Sequence, residues 1–439
     1  MKRLRRLRKH SAASILLAAL LVSGCGSSAD SGSAEGDAAR PFEGQTITLV
    51  TGTHPWADEI KRLLPEFEAE TGMSVNVQGF FEDQLTQKLT VQFKSGSETP
   101  DVFMYRPLQE GKLFYKNGWL ESLDKYVGQE SGYDIDDFSE QSIRSATVAG
   151  DLAGIPIITE QEILYYRKDL LRQAGIPVPT TIDALVAAAD KLHDPKNGIY
   201  GFVARGQRSP LVTQVSSFLY SEGGDFTNGN KATLNTPEAI KAFTVYGNLL
   251  RDYGPPGAIN MSWPQASAFF AAGKAALYTD ANSIYKSAAD PALSKIADHV
   301  GFAAFPAGAK GSKPYNITSW GLAMNPKASD KDAAWAFIRW ATSKEIMLLT
   351  QQKGNPGPRS SVWNQPQGTI GFPAELAEVY KKSGNDGIDH DRPAVINVAD
   401  ARETVGEIVQ KVITGEKDIK QTADKANAAL QAILDKEAE

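Results

Sequence analysis

The chain has little cysteine and little histidine: one cysteine and five histidines in 439 residues. A single cysteine excludes a disulfide framework and a cysteine-based zinc or iron–sulfur site. No two of the histidines stand at the spacing of metal ligands on one helix, so the sequence predicts neither a metal centre nor a cofactor. Long apolar runs are also missing. The stretch 12–22 is shorter than the ~18–20 residues that a membrane-spanning helix needs.

Basic residues are scarce outside the N-terminus. The formal net charge is −6, but residues 1–24 carry six basic side chains and no acidic one. Without that segment 40 basic residues face 52 acidic ones, a net charge of −12. So acidic a chain is a poor partner for nucleic acid, which needs clustered Lys and Arg. With 42% hydrophobic and 22% charged residues, the remainder is typical of a globular chain of two or three domains.

The N-terminus has the layout of a secretory signal, with a basic stretch followed by a short apolar one. It ends at Leu21-Val22-Ser23-Gly24-Cys25, which resembles the bacterial lipobox. We therefore expect a lipoprotein signal peptide over residues 1–24 and lipidation of Cys25. The alternative is an ordinary signal peptide with an incidental cysteine. Residues 25–40 hold no large apolar side chain and are expected to form a flexible tether to the membrane.

The next part of the chain alternates strand and helix patterns. Residues 45–51 form a β-rich run, and Ile60, Leu63, Leu64 and Phe67 then share one face of a helix. Further strands are expected at 73–77 and 101–105, with a helix between them. The pattern restarts after Asp151, with strands at 152–158 and 162–166. This alternation indicates an α/β fold with covering helices.

Several short motifs then occur in a characteristic order. They are Phe67-Glu68-Ala69-Glu70-Thr71-Gly72, Pro100-Asp101-Val102, Gly154-Ile155-Pro156, Leu164-Tyr165-Tyr166-Arg167-Lys168-Asp169-Leu170, Ala174-Gly175-Ile176-Pro177, Phe270-Ala271-Ala272-Gly273-Lys274-Ala275-Ala276, Thr318-Ser319-Trp320-Gly321-Leu322-Ala323 and Ala334-Trp335-Ala336-Phe337-Ile338. Together they resemble the carbohydrate class (family 1) of extracellular solute-binding proteins, which serve bacterial ABC importers of sugars and polyols.

The resemblance implies a two-lobed periplasmic-binding-protein fold of type II, with a ligand cleft between the lobes. By analogy the chain crosses between lobes near Thr159, Asp280 and Lys313. The first lobe would then comprise residues 41–158 and 281–312, and the second lobe 159–280 and 313–439. The expected partners are a sugar or polyol ligand, the permease subunits and the membrane, which the protein would meet as an exported, lipid-anchored monomer.

Sugar sites combine aromatic rings that stack on C–H faces with charged or amide groups that bind hydroxyls. In α/β folds such residues lie where strands end. The residues that meet both conditions are His54, Trp56, Tyr105, Arg106, Glu160, Gln161, Glu162, Asp280 and Asn282, with Arg205 and Gln207 as weaker candidates. Of these, Glu160 and Asp280 are predicted to accept hydrogen bonds from sugar hydroxyls.

Three more candidates rest on the resemblance. Similar proteins place a cleft tryptophan at the position of Trp320, although a core position under a helix is the alternative. Trp263 follows a turn-rich stretch also found in similar polyol- and sugar-binding proteins, and it belongs either to the cleft or to the packing. Arg359 occupies a loop from which similar proteins extend an arginine toward the cleft; the alternative is a solvated loop charge.

Two other functions are alternatives to a receptor that catalyses nothing. A secreted glycoside hydrolase would use paired carboxylates, and Asp134, Asp136 and Asp137 form an acidic cluster. That cluster lies in a polar loop, and the chain has neither a Gly-x-Ser-x-Gly nor a His-Glu-x-x-His motif. A metal receptor of related fold is suggested only by the adjacent Tyr165 and Tyr166, which are ordinary in the sugar class.

Overall fold

The computed structural model describes residues 40–383 and 387–438. The predicted signal peptide, Cys25 and nearly all of the tether lie outside the described residues. Within the described ranges, no helix is both long enough and apolar enough to cross a membrane.

The part of the chain that the structure describes contains twelve strands, which are β1 (Thr46–Gly52), β2 (Ser74–Phe80), β3 (Val102–Tyr105), β4 (Thr147–Val148), β5 (Asp151–Leu152), β6 (Ile155–Arg167), β7 (Tyr200–Val203), β8 (Thr227–Asn228), β9 (Lys231–Ala232), β10 (Ala275–Ala281), β11 (Val300–Ala304) and β12 (Asn316–Met324).

The same part contains eighteen α-helices, which are α1 (Pro55–Thr71), α2 (Glu82–Lys94), α3 (Lys112–Lys116), α4 (Asp124–Gln129), α5 (Glu140–Ala146), α6 (Lys168–Ala174), α7 (Ile182–Leu192), α8 (Leu211–Glu222), α9 (Pro237–Tyr253), α10 (Trp263–Ala271), α11 (Lys286–Ala289), α12 (Lys331–Ala341), α13 (Lys344–Gln352), α14 (Ser360–Trp363), α15 (Pro366–Thr369), α16 (Ala374–Ser383), α17 (Val398–Ile413) and α18 (Ile419–Ala438).

Helix α1 illustrates how local sequence sets an element. The predicted face of Ile60, Leu63, Leu64 and Phe67 is buried, as its periodicity indicates. The helix ends at Gly72, whose φ of 73° lies in the left-handed region that favours glycine. Strand β1, which precedes this helix, pairs with β2 on one side and β3 on the other, and these pairings hold its end within the sheet.

Strand β6 passes through both lobes. Its first part, Ile155–Gln161, pairs antiparallel with Asn316–Leu322 of β12. From Glu162 onward it changes partners and lies between β10 and β11, both antiparallel to it. The predicted strand 162–166 and most of the predicted strand 152–158 are therefore one continuous strand, whereas Leu152 belongs to β5. The strand order in this eight-stranded sheet is β2-β1-β3-β12-β6-β10-β7, with β11 also paired to β6.

The cores follow this division. One cluster gathers β1, β3, β12, α1 and α12 around residues such as Phe67, Phe103 and Phe337. Two clusters fill the other lobe, one around Phe218 and Tyr246 and one below β10 and β11. Each lobe therefore has its own apolar interior, and the crossing segments connect the two lobes.

The predicted lobe boundaries require a correction. Residues 281–312, assigned to the first lobe, contain β11, which pairs with the second-lobe half of β6. The chain therefore does not return at Asp280. It returns with β12, near the predicted crossing at Lys313, so the next stretch through α12 and α13 belongs to the first-lobe core rather than the second. The third crossing lies between Val362, in the first-lobe core, and Phe372, in a second-lobe cluster.

Candidate functional site

A cleft of about 660 Å³ lies between the lobes. Its walls come from the end of β1, the segment after β3, the crossing strands and the start of α10, with α8 and α17 behind them. Pockets of this size hold small organic ligands. Six of the residues predicted from the sequence line it: His54, Arg106, Glu160, Arg205, Trp263 and Trp320.

Trp320 forms the aromatic part of the first-lobe wall. Only 6% of its surface is exposed, and its ring lies against Gly52, where a Cβ would come within 3.0 Å of the ring. The Arg106 guanidinium lies 5.7 Å from the centre of the ring, within cation–π range. Trp320 is thus fixed by contact with β1 and presents one side to the cleft.

Arg106 is held by carboxylates. It donates from Nη1 to Glu82 at 3.0 Å and from Nη2 to Glu110 at 2.5 Å, and its backbone N–H also reaches Glu110 at 2.7 Å. Nη2 additionally donates to the Thr86 hydroxyl at 2.9 Å. These bonds fix the guanidinium over Trp320, so it serves the site mainly by orienting that wall.

His54 stands at the N-terminus of α1. Its Nδ1 accepts the backbone N–H of Trp56 at 3.1 Å, and burial lowers the pKa of the imidazole to about 4. The ring is therefore neutral at physiological pH, with its proton on Nε2. Since His54 lines the cleft, Nε2 is a neutral hydrogen-bond donor for a ligand hydroxyl.

Trp263 supplies the aromatic part of the opposite wall. It is the first residue of α10, where Ser262 and Gln265 form a capping box. Its exposed fraction is 41%, large for a tryptophan beside a cleft. The two lobes therefore each present one indole to the same cavity.

Arg205 and Asp280 form a buried pair behind the second-lobe wall. Nε of Arg205 donates to Oδ2 of Asp280 at 3.1 Å, and Nη2 of Arg205 donates to Oδ1. Asp280 is 0% exposed and also accepts from Gln214, the Tyr278 hydroxyl and the backbone N–H of Ala281. Its oxygens are thus occupied, which corrects the prediction that Asp280 itself accepts ligand hydroxyls. Arg205 reaches the cleft, and Asp280 orients it.

Glu160 lies at the crossing and does face the cleft. One oxygen accepts the Ser283 hydroxyl at 2.7 Å. Burial raises the pKa of this carboxyl; Ser283 and the Arg205 charge oppose the rise, whereas Asp280 and Asp391 add to it. Its other oxygen has no protein partner among the described residues, so Glu160 retains capacity to bind a hydroxyl.

Three predicted residues lie in the first-lobe interior instead of the cleft. Trp56 and Tyr105 are each 1% exposed and belong to its core. Arg359, also 1% exposed, pairs with Asp137 at 3.2 Å and donates to the carbonyls of Tyr133, Asp134 and Thr342. These positions correct the cleft prediction, because side chains at strand and loop ends can turn inward as well as outward.

Two more predicted residues are enclosed near the crossing. Glu162 is fully buried, and burial raises its pKa well above the ordinary value. Side chains alternate along a strand, so Glu162 shares a face of β6 with Glu160, but it is enclosed and has no exposed surface. Asn282 is buried as well, and its Oδ1 accepts the backbone N–H of Gln161 at 3.0 Å. Neither side chain lines the cleft.

The cleft also contains residues that the sequence interpretation missed, of which the charged ones are Glu82, Lys286, Asp391, Arg392 and Arg402. Asp391 accepts hydrogen bonds from Nε and Nη2 of Arg392, each at 2.6 Å. The run Asp389-His390-Asp391-Arg392-Pro393 was a visible signal, since four polar or charged residues end in a proline between two helical patterns. Arg402 sits inside α17, and no local pattern distinguishes it from a surface arginine.

In the described ranges, no group of three or more His, Cys, Asp or Glu side chains is arranged to hold a metal ion. The chemistry of the cleft is instead that of stacking and hydrogen bonding. Two indoles face a cavity edged by guanidinium and carboxyl groups. Fold and site together define a two-lobed solute-binding protein.

The family comparison agrees. The model of the bacterial extracellular solute-binding proteins matches residues 54–348. The chain therefore belongs to that family, which confirms the resemblance drawn from its motifs.

Two relatives cover most of the chain. The mannitol-binding protein of Pseudomonas aeruginosa is 30% identical over 332 residues, or 73% of this chain and 75% of that protein. The erythritol/L-threitol-binding protein of Mycolicibacterium smegmatis is 28% identical, over 72% of this chain and 70% of its own.

Solved structures confirm the predicted two-lobed fold. An ABC transporter solute-binding protein from Agrobacterium radiobacter, in complex with ribitol, is 30% identical with a TM-score of 0.78; the match covers 89% of this chain and 99% of that one. A solute-binding protein from Agrobacterium vitis with bound D-mannitol is 26% identical with a TM-score of 0.72, over the same shares of the two chains.

Proposed function

We propose that this protein is the lipid-anchored, extracellular receptor of an ABC importer and captures a sugar or polyol in the interlobe cleft. It delivers the ligand to a membrane permease and catalyses no reaction on it. It acts as a monomer and does not bind nucleic acid.

The observation that carries the proposal is the pair of indoles on opposite walls. Trp320 comes from the first lobe and Trp263 from the second. Aromatic faces stack on the C–H faces of carbohydrates, and between them the cleft offers His54, Arg205 and Glu160 for hydroxyls. A ligand with hydroxyls around an apolar carbon chain satisfies both halves of this lining at once.

The relatives support a small polyol in particular. The two relatives are named for mannitol and for erythritol and L-threitol, and the two solved structures hold ribitol and D-mannitol. All of these ligands are open-chain polyols of four to six carbons.

The ligand proposal is tested by thermal shift on the Cys25→Ala chain with tetritols, pentitols, hexitols and maltose. A ligand at ~100 times its Kd adds about 2.7 kcal/mol, which raises the melting temperature. Trp263→Ala should reduce the shift at the same ligand concentration. Trp340→Phe is the matched control, because that ring packs on Phe67 away from the cleft. The absence of a shift with every sugar and polyol would contradict the proposal.

Catalysis and anchoring have separate tests. Release of the aryl group from aryl glycosides would support a glycoside hydrolase instead of a receptor. In the native host, Cys25→Ala should release the protein from the membrane fraction without changing ligand affinity. Retention in that fraction after a high-salt wash would contradict the lipid anchor.

A further inference from the structure

The segment between α16 and α17, residues 387–397, is called the strap here. Its second-lobe anchors are numerous. Val395 is part of a second-lobe core, Asp391 accepts the Thr213 hydroxyl at 2.7 Å, and His390 lies 3.1 Å from Asp225. The strap therefore moves with the second lobe.

The strap also touches one of the crossing segments. Ile388 bonds on both sides of Tyr315: its N–H donates to the Pro314 carbonyl at 2.9 Å, and its carbonyl accepts from Asn316 at 2.7 Å. These bonds set the strap at the base of β12, where the chain returns to the first lobe. The first residues of the strap are therefore held by the crossing segment at 314–316.

Three further contacts join the strap to the first lobe. Arg144 of α5 donates from Nε to Asp389 at 2.8 Å. Arg392 donates from Nη1 to the Gln109 side chain at 2.6 Å, and Lys112 of α3 donates to the Ala394 carbonyl. Since the strap is anchored in the second lobe, all three contacts must break when the lobes separate.

Arg392 connects these contacts with the ligand site. Its guanidinium lines the cleft, with two nitrogens on Asp391 of the strap and the third on Gln109 of the first lobe. The side chain is therefore oriented by both lobes at once. Opening removes the Gln109 bond and leaves that nitrogen without its first-lobe partner.

We propose that the strap is an interlobe clasp that positions Arg392 as a ligand-contacting residue only in the closed protein. The proposal rests on the ligand cleft described above. In it, Arg144, Gln109 and Lys112 act as positioning residues: they favour closure without themselves defining the ligand. A ligand that contacts Arg392 then binds the closed state better and shifts the population toward it.

The first test needs no ligand. In the Cys25→Ala background, Glu66→Cys in α1 and Glu238→Cys in α9 place one exposed label on each lobe. Single-molecule distance measurements then give the closed fraction. Exposed ion pairs and polar contacts contribute little singly. We expect Arg144→Met or Lys112→Met to lower the ratio of closed to open protein about 1.5- to 5-fold, and the double variant to lower it by the product.

Arg339→Met is the matched control, because Arg339 makes a similar exposed ion pair, at 2.6 Å to Glu130, within the first lobe. It should leave the distances unchanged, and Arg144→Lys should restore part of the closed fraction. If the double variant gives the same distances as this control, the clasp is refuted. Because Arg144 and Lys112 are exposed, melting temperatures should confirm that the variants fold.

The second test uses D-mannitol, the ligand held by one of the related structures. If it binds, Arg144→Met should raise Kd by the factor by which the closed fraction falls, through faster dissociation. Arg392→Met should raise Kd further. An unchanged Kd in both variants would overturn the role of Arg392. Failure of every polyol to bind would contradict the proposed function. The distances between the labels, measured without ligand, would still show whether the strap favours the closed state.

Discussion

Asp280→Asn separates a ligand-binding role from a positioning role for this carboxylate. From sequence, Asp280 was expected to bind sugar hydroxyls, so that its loss would weaken affinity and spare the fold. In the structure it is fully buried and accepts bonds from four residues, with Arg205 as its counter-charge. Asparagine keeps the shape but removes the charge, and it turns an amide toward groups that are themselves donors.

The size of the effect follows from burial. Removing one partner of a buried ion pair leaves the other charge uncompensated and costs about 3–5 kcal/mol. The expected result is therefore a large loss of ligand-free stability, together with weaker binding because Arg205 loses its orientation. The double variant Arg205→Met/Asp280→Leu should recover most of the stability, since replacing both charges with apolar groups is often neutral. It should not recover binding.

The assay is urea denaturation without ligand, followed by calorimetric titration with the ligand found by screening. Glu160→Gln is the comparison, because Glu160 faces the cleft and has one protein hydrogen bond to Ser283. It should cost about 1 kcal/mol of stability or less while weakening binding. If Asp280→Asn unfolds at the same urea concentration as the parent and only loses affinity, the positioning role is wrong.

The remaining predictions concern stability and the indoles. Hydrogen bonds to Asp225 and Asp389 outweigh burial and raise the pKa of His390 to about 9. Relative to about 6.5 in the unfolded chain, this stabilises the protein below pH 6.5, and the stabilisation is lost as the pH rises through 9. The free energies of unfolding from urea titrations at pH 6 and pH 10 should differ by about 1–3 kcal/mol more in the parent than in His390→Gln, and equal differences would contradict the pairing. Trp263→Ala should raise Kd about 3- to 10-fold and change the ligand-free melting temperature much less than Trp320→Ala does, because Trp263 is 41% exposed and Trp320 only 6%. Trp320→Ala should weaken binding and also destabilise the ligand-free protein by about 3 kcal/mol, which melting and titration together would show. Arg359→Met should cost about 3 kcal/mol without altering Kd, because its partners are all within the first lobe; a changed Kd would return it to the cleft.

Local pattern was sufficient for several elements and for the class of protein. The helical face of Ile60, Leu63, Leu64 and Phe67 predicted α1, and the motif order predicted the family. The rule that ligands bind where strands end predicted four residues that do line the cleft: His54, Arg106, Glu160 and Arg205. Their roles in binding stay predictions. Their positions follow from the sheet, because a residue that directly follows a strand lies at the edge of the sheet where ligands bind.

Which of two similar carboxylates faces the ligand could not be predicted in this way. Glu160 and Asp280 both stand at the ends of strands that meet at the crossing. One accepts only the Ser283 hydroxyl, whereas the other is enclosed by Arg205 and Gln214, which are 75 and 66 residues away. Their difference arises from partners distant in sequence, and no local pattern contains those partners.

The division into lobes shows the same limit. Apolar and β-branched runs predicted strands at 152–158 and 162–166, because side-chain type acts locally. The lobe to which each belongs depends on hydrogen-bond pairing, and β6 changes partners at Glu162 from β12 to β10 and β11. Pairing is a choice among strands far apart in the chain, made by the packing of whole layers. The sequence therefore specified the elements and the kind of protein, while the folded chain determined which side chains share the cleft.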